Sequence, residues 1–196
     1  NPCFARQLLT ILNPVAFEAL KAQGYRRIPV YRKVLADLDT PLSVYLKLAD
    51  GPDAYLLESV EGGETWGRFS IIGLPCARRY VLRGDTVTAY EDGAEIGSEQ
   101  VDDPMDFVSR LQRQFDAAKV DELPVFTGGL VGYFGYEIVQ HFESRLRDDA
   151  KPDQLGTPDM LLLQSEEVAV LDNLAGRLYL IVNVDPEAPE AWEHAQ

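Results

Sequence analysis

The chain has 196 residues, 46% of them hydrophobic, and sets 18 lysines and arginines against 32 aspartates and glutamates for a net charge of -14. That apolar content can bury a sizeable core without staples, so a single domain is the first expectation, and the acidic balance argues against nucleic acid and anionic membranes as partners. Cys3 and Cys76 stand far apart with no metal-ligand spacing, which suggests neither a disulfide framework nor a zinc site and suits a reducing cytoplasm, and no apolar run reaches the ~18 residues of a membrane span.

The stretch before Asn13 carries Arg6 inside an apolar run and lacks a small-residue cleavage pattern, so it reads as helix or strand rather than a signal peptide. The missing initiator Met points to processing or trimming. Asn13-Pro14 is an N-cap followed by a first-turn proline, and Val15, Phe17 and Leu20 continue a helix over 14–23 that Gly24 can end. Alternation at Ile28, Val30, Val34, Ala36 and Leu38 predicts a strand. Thr40-Pro41 opens a second helix, on which Leu42, Tyr45, Leu46 and Leu48 are expected to face a sheet.

From Ala54 the pattern changes to short apolar runs parted by glycine turns: 55–60, 69–72, 79–82, 86–90 and 94–96. Links this short leave no room for crossover helices, so an antiparallel meander is expected, turning at Arg83-Gly84-Asp85 and Glu91-Asp92-Gly93. Asp103-Pro104 starts a helix with Phe107, Val108, Leu111 and Phe115 on one face and Arg110, Arg113 and Gln114 on the other. A strand near Gly129–Tyr133, a helix over 136–142 and a polar loop over 145–157 follow. Met160–Gln164 is expected to continue into Val168–Leu171, with Arg177–Asn183 as its partner across Asp172-Asn173 and Gly176. A helix should begin after Asp185-Pro186, and its interruption at Gln196 points to a longer polypeptide.

Standard catalytic constellations are missing from the sequence: there are two histidines, His141 and His194, and no GxSxG, HExxH or phosphate-binding P-loop motif. The glycine-rich run from Gly128 to Glu137 has neither Walker nor Rossmann spacing. It reads instead as a strand packed closely on another backbone, with its tyrosines filling the adjacent core. His141 reads as a cap or surface residue, and Asp102, Asp103 and Asp106 as helix-start carboxylates that suit the dipole.

The segment from Tyr55 to Gly73 is more informative, because polar groups interrupt its apolar strands. A carboxylate at Glu58 in a buried strand needs a cation or several donors. Two readings are open. Glu58 and Arg68 could pair across strands with Ser59 bonded to backbone, or they could separate to hold a zwitterion, with Glu58 facing an ammonium, Arg68 a carboxylate and Ser59 donating a further bond.

Leu56-Leu57-Glu58-Ser59, the following Gly-Gly-Glu-Thr-Trp-Gly-Arg-Phe-Ser-Ile-Ile-Gly, Thr40 to Leu48 and Gly128 to Glu137 resemble the amino-terminal region of anthranilate synthase component I, over roughly residues 24–185. The resemblance implies an α+β fold of antiparallel β-sheets with flanking helices, in which residues 1–196 form the amino-terminal regulatory domain. It implies a tryptophan inhibitor site that includes Leu57, Glu58, Ser59 and, less directly, Arg68. The catalytic and magnesium-binding residues of such a protein would lie beyond Gln196, so no catalytic or metal residue is assigned here. The complete protein would convert chorismate to anthranilate and pyruvate in tryptophan biosynthesis, with Mg2+ as cofactor and ammonia from a glutamine amidotransferase subunit. The alternatives are aminodeoxychorismate synthase component I, on the folate branch, and a stand-alone amino-acid-binding module.

Overall fold

The computed structural model describes residues 9–10, 12–58, 67–143, 145 and 155–195. In chain order the first elements are β1 (Leu9–Thr10), α1 (Pro14–Ala22), β2 (Ile28–Leu35), α2 (Pro41–Leu48), β3 (Tyr55–Glu58), β4 (Phe69–Gly73) and β5 (Arg78–Arg83). Then come β6 (Thr86–Glu91), β7 (Ala94–Gln100), α3 (Pro104–Gln114), β8 (Gly129–Phe134), a 3₁₀ turn (Tyr136–His141), β9 (Met160–Ser165), β10 (Glu167–Asp172), β11 (Arg177–Val184) and α4 (Ala191–His194). These make an α+β fold of antiparallel sheets with few helices. The chain forms two compact units, one comprising Asn1–Pro75, Phe115–Gly128 and Ser165–Gln196, the other Cys76–Gln114 and Gly129–Gln164.

The first unit is built on a six-stranded sheet in the order β1-β2-β11-β10-β4-β3. Its central strand β10 is an unbroken apolar run because both faces are covered. Val168 and Val170 enter a cluster with Phe17, Ile28, Tyr31 and Ile181, whereas Ala169 and Leu171 enter one with Val34, Val44, Ile72 and Leu178. The same two-sided burial explains β2, where Ile28, Val30 and Tyr31 are all buried rather than strictly alternating. Burial, and then the Glu122 carboxylate nearby, push the Tyr31 hydroxyl up to about 12.

Helix α1 starts as its sequence dictates: the Asn13 side chain accepts from the Ala16 amide at 2.8 Å, and Gly24 follows the end at a φ of 85°. Helix α2 carries a full capping box, in which the Thr40 and Ser43 side chains exchange backbone hydrogen bonds. Its buried residue is Val44, while Leu42 and Leu46 are exposed. The expected face was therefore misplaced by part of a turn: eight residues bury one narrow stripe, and Val44 with half-buried Tyr45 fills it.

The second unit is a five-stranded sheet in the order β7-β6-β5-β9-β8. Phe107, Val108 and Leu111 of α3 pack with Tyr80, Leu82, Val87, Met160 and Leu162 on its inner face. Phe115 lies just past the end of α3, in the first unit, where the Arg27 guanidinium stacks over its ring at 5.8 Å.

Two expected continuities are broken. The meander does not run on from β4 to β5, since β4 pairs with β3 and β10 while β5 pairs with β6 and β9. The Leu74-Pro75 link separates them, proline having no N–H to extend a ladder. Likewise β9 and β10 belong to different sheets, parted at Glu166, whose carbonyl accepts the Asn183 amide at 2.8 Å and whose side chain holds Arg27.

Candidate functional site

The β3–β4 hairpin carries the residues singled out by sequence. Its register sets Leu57 opposite Ile71 and Glu58 opposite Ser70. Because β3 is an edge strand, only one of its sides is laddered, and Leu57 and Glu58 both emerge exposed. The expectation that Glu58 sits in a buried strand is thus corrected. Its carboxylate reaches solvent at the sheet edge, and it makes no side-chain hydrogen bond or ion pair among the described residues. Ser59 lies outside the described residues, as do 60–66.

The structure does not bring Arg68 to Glu58. Nε of Arg68 donates to both carboxylate oxygens of Asp172 at 3.0 Å, and Nη2 donates to Oδ2 at 2.5 Å. The cross-strand pair with Glu58 is therefore replaced by a fork onto the last residue of β10. The acid is 1% exposed, so without a cation its charge would be costly. Burial pushes the Asp172 carboxyl up, but hydrogen bonds from Arg68, its positive charge and the amides of Ala175 and Leu174 outweigh this and hold it below the usual carboxylate range. In turn, the hydrogen bond to Asp172 raises the Arg68 guanidinium above its ordinary value.

Neighbouring bonds anchor the same corner. The Asn173 amide donates to the Arg68 carbonyl at 2.8 Å, the Asn173 side chain donates to buried Ser70 Oγ at 3.0 Å, and Gly67 turns the chain at a φ of 92°. At the other end of the hairpin the Tyr55 ring crosses Gly73, where a Cβ would come within 1.9 Å of it, and the Tyr55 hydroxyl meets Ser165 Oγ at 2.8 Å. Sequence reasoning missed Asp172, Asn173 and Ser70. The available signal was a carboxylate ending the apolar run from Val168, which read only as a turn residue.

The glycine-rich run behaves in part as expected. A Cβ on Gly132 would fall 1.9 Å from the Leu161 carbonyl oxygen, the close backbone approach that calls for glycine. Its aromatics do not fill a core, however: Tyr133 and Phe134 are a little under half exposed and Tyr136 is 84% exposed, because β8 is also an edge strand. His141 is the opposite case, its side chain 8% exposed rather than on the surface, with Nδ1 3.8 Å from Asp85 and without a hydrogen-bond partner among the described residues. Asp103 does serve the start of α3, accepting from the Met105 amide at 2.8 Å. Among the described residues no three His, Cys, Asp or Glu side chains are grouped to hold a metal ion, so the Mg2+ implied by the resemblance has no donor set there, and no helix is long and apolar enough to cross a membrane.

No protein-family model matches the chain. Among curated proteins it is 51% identical over 183 residues, 92% of its length, to anthranilate synthase component 1 of Neisseria meningitidis serogroup C. It is 50% identical over 185 residues to the protein of that name from Pseudomonas putida and 51% identical over 187 residues to that from Pseudomonas aeruginosa. The chain spans only 37 to 38% of the length of these relatives. The crystal structure of anthranilate synthase component I from Streptococcus pneumoniae TIGR4 is similar with a TM-score of 0.47 and 25% identity, covering 82% of this chain and 34% of that one.

Proposed function

We propose that this chain, which belongs to the anthranilate synthase component I family, is the amino-terminal regulatory region of a subunit that converts chorismate and ammonia to anthranilate and pyruvate in tryptophan biosynthesis. The observation that carries the reading is identity of about half over 92% of the chain with proteins of that name. The remainder of such a subunit would supply the catalytic residues and the carboxylates for Mg2+. A glutamine amidotransferase, component II, would deliver the ammonia, and the assembly would work in the cytoplasm.

The region's own task would be feedback control. Tryptophan would bind at the edge of β3, its ammonium facing the exposed Glu58 carboxylate, Ser59 donating a hydrogen bond and Leu57 offering apolar contact. Exposure of Leu57 and Glu58 supports this, since both are available to a ligand. Arg68 has a smaller part, because Asp172 occupies its Nε and Nη2, and among the described residues only Nη1 is left for a ligand carboxylate. Bound inhibitor would favour a state with poor chorismate affinity, with a coupling of about 1–3 kcal/mol.

The test is the fluorescence of anthranilate formed by the complete reading frame given chorismate, ammonia and Mg2+, with and without tryptophan. Emission suppressed by tryptophan supports enzyme and brake together. Chorismate consumed without anthranilate moves the protein to the folate branch, and no consumption leaves an amino-acid-binding module. In the first case Ser59→Phe should relieve inhibition with uninhibited turnover intact; unchanged sensitivity would remove the β3 edge from the site.

A further inference from the structure

The second unit has a cleft that the proposed function does not use. It lies between the β6–β7 edge of the five-stranded sheet and the side of α3 that carries Phe107, Arg110 and Leu111, and holds about 330 Å3. Its origin is a pair of small residues. Ala89 on β6 stands directly opposite Gly97 on β7, one step along from Val87 opposite Glu99, so all four share the face turned to the helix. A methyl group and a hydrogen occupy positions where neighbouring strands put full side chains. A Cβ built on Gly97 meets nothing within 4 Å, and its φ is not left-handed, so neither backbone conformation nor crowding calls for glycine there. The volume is at the small end of the range for ligand pockets.

The lining divides by polarity. Val87, Ala89, Phe107 and Leu111 form an apolar floor, and the ring of Tyr80 meets Phe107 edge-on at 5.7 Å. Above them stand one acid and one base, Glu99 from β7 and Arg110 from α3, which hydrogen-bond to each other across the mouth. Both are about half exposed, so this pair contributes little to stability and parts at low cost. Arg110 lies over the Phe107 ring at 5.3 Å and spends only Nη2 on Glu99, which among the described residues leaves its other N–H groups available.

We infer that this cleft is a second small-molecule site, and that its ligand is a zwitterion with an apolar or aromatic side chain: carboxylate on Arg110, ammonium on Glu99, side chain on the apolar floor. Opposite charges flanking an apolar hollow recognise that class and favour it over either ion alone, since a zwitterion gains a charge-assisted hydrogen bond at each end and a lone anion or cation gains one. The site is distinct from the β3 edge and stands or falls without it.

The probe is L-phenylalanine titrated into the 15N-labelled 196-residue chain, followed by amide shifts. The expected result is saturable movement of Gly97, Ser98 and Glu99, abolished by Gly97→Leu, which fills the hollow, and retained in Glu58→Gln. Far-UV circular dichroism and thermal midpoint should show Gly97→Leu folded. Arg110→Met, which keeps the stem over Phe107, and Glu99→Gln should each weaken binding by about tenfold or more, as expected for loss of one charge-assisted hydrogen bond. Phenylpropionate and phenethylamine should bind more weakly by similar factors. No movement at millimolar L-phenylalanine, movement that survives Gly97→Leu, or phenylpropionate binding as tightly as the amino acid would each overturn the assignment.

Discussion

The fork between Arg68 and Asp172 is the clearest case of one residue deciding the fate of another. Asp172 must remain ionised at a position 1% exposed, and Arg68 makes that tolerable. With its folded pKa below the unfolded value of about 3.9, the carboxylate stabilises the fold above that pH, and this contribution is lost as pH falls from there through the folded pKa. Asp172→Asn should therefore be less stable near neutrality and show a flatter decline on acidification. Arg68→Met should have the opposite signature, losing stability at a higher pH than the parent, because the buried acid then lacks its cation and protonates earlier. Urea midpoints measured from about pH 7 to about pH 3 separate the two; parallel curves for all three proteins would mean that the fork has no net influence. The same contact explains why a Glu58 to Arg68 pair, reasonable on charge alone, does not form: Asp172 has less access to water and gains more from the guanidinium.

At the scale of elements, local signals were readable wherever a short segment satisfies itself. Asn13-Pro14 and Thr40-Pro41 cap their helices as their side chains require, and the β5–β6 and β6–β7 hairpins turn at the glycines expected. What no local signal contained was membership: β4 and β5 look like one hairpin, and β9 and β10 like one strand, until sheet pairing divides them. Nor could burial be read from apolarity, since edge strands β3 and β8 expose residues that would be core in a central strand. Close approach is where glycine becomes obligatory. Gly132→Val should destabilise the second unit by about 3 kcal/mol or more, beyond ordinary overpacking, because the contact is with the Leu161 carbonyl rather than a side chain that can move. Thermal unfolding should show the loss directly, and a midpoint within a degree or two of the parent would mean that β8 shifts freely against β9.

For the whole molecule the governing quantity is charge. A net charge of -14 keeps copies apart at neutral pH and offsets the exposed edges of β3, β7 and β8, each a template for pairing with another chain. Near the isoelectric point of about 4.5 that repulsion vanishes. Light scattering at fixed concentration should rise sharply as pH falls from neutrality toward that point and fall again when salt is kept low and the pH is taken below it; constant scattering would mean that the edges are protected by something other than charge.

The sequence by itself determined the class of structure, the caps, the hairpin turns, the acidic charge and the family, because these depend on composition, on neighbours within a few residues, or on a pattern of identities along the chain. Only the tertiary structure decided which strands share a sheet, that Arg68 answers to Asp172, that Glu58 is exposed at an edge, and that Ala89 opposite Gly97 leaves a hollow beneath Glu99 and Arg110. Each of these follows from pairing between segments distant in sequence, where desolvation and register choose among partners that local chemistry leaves equivalent.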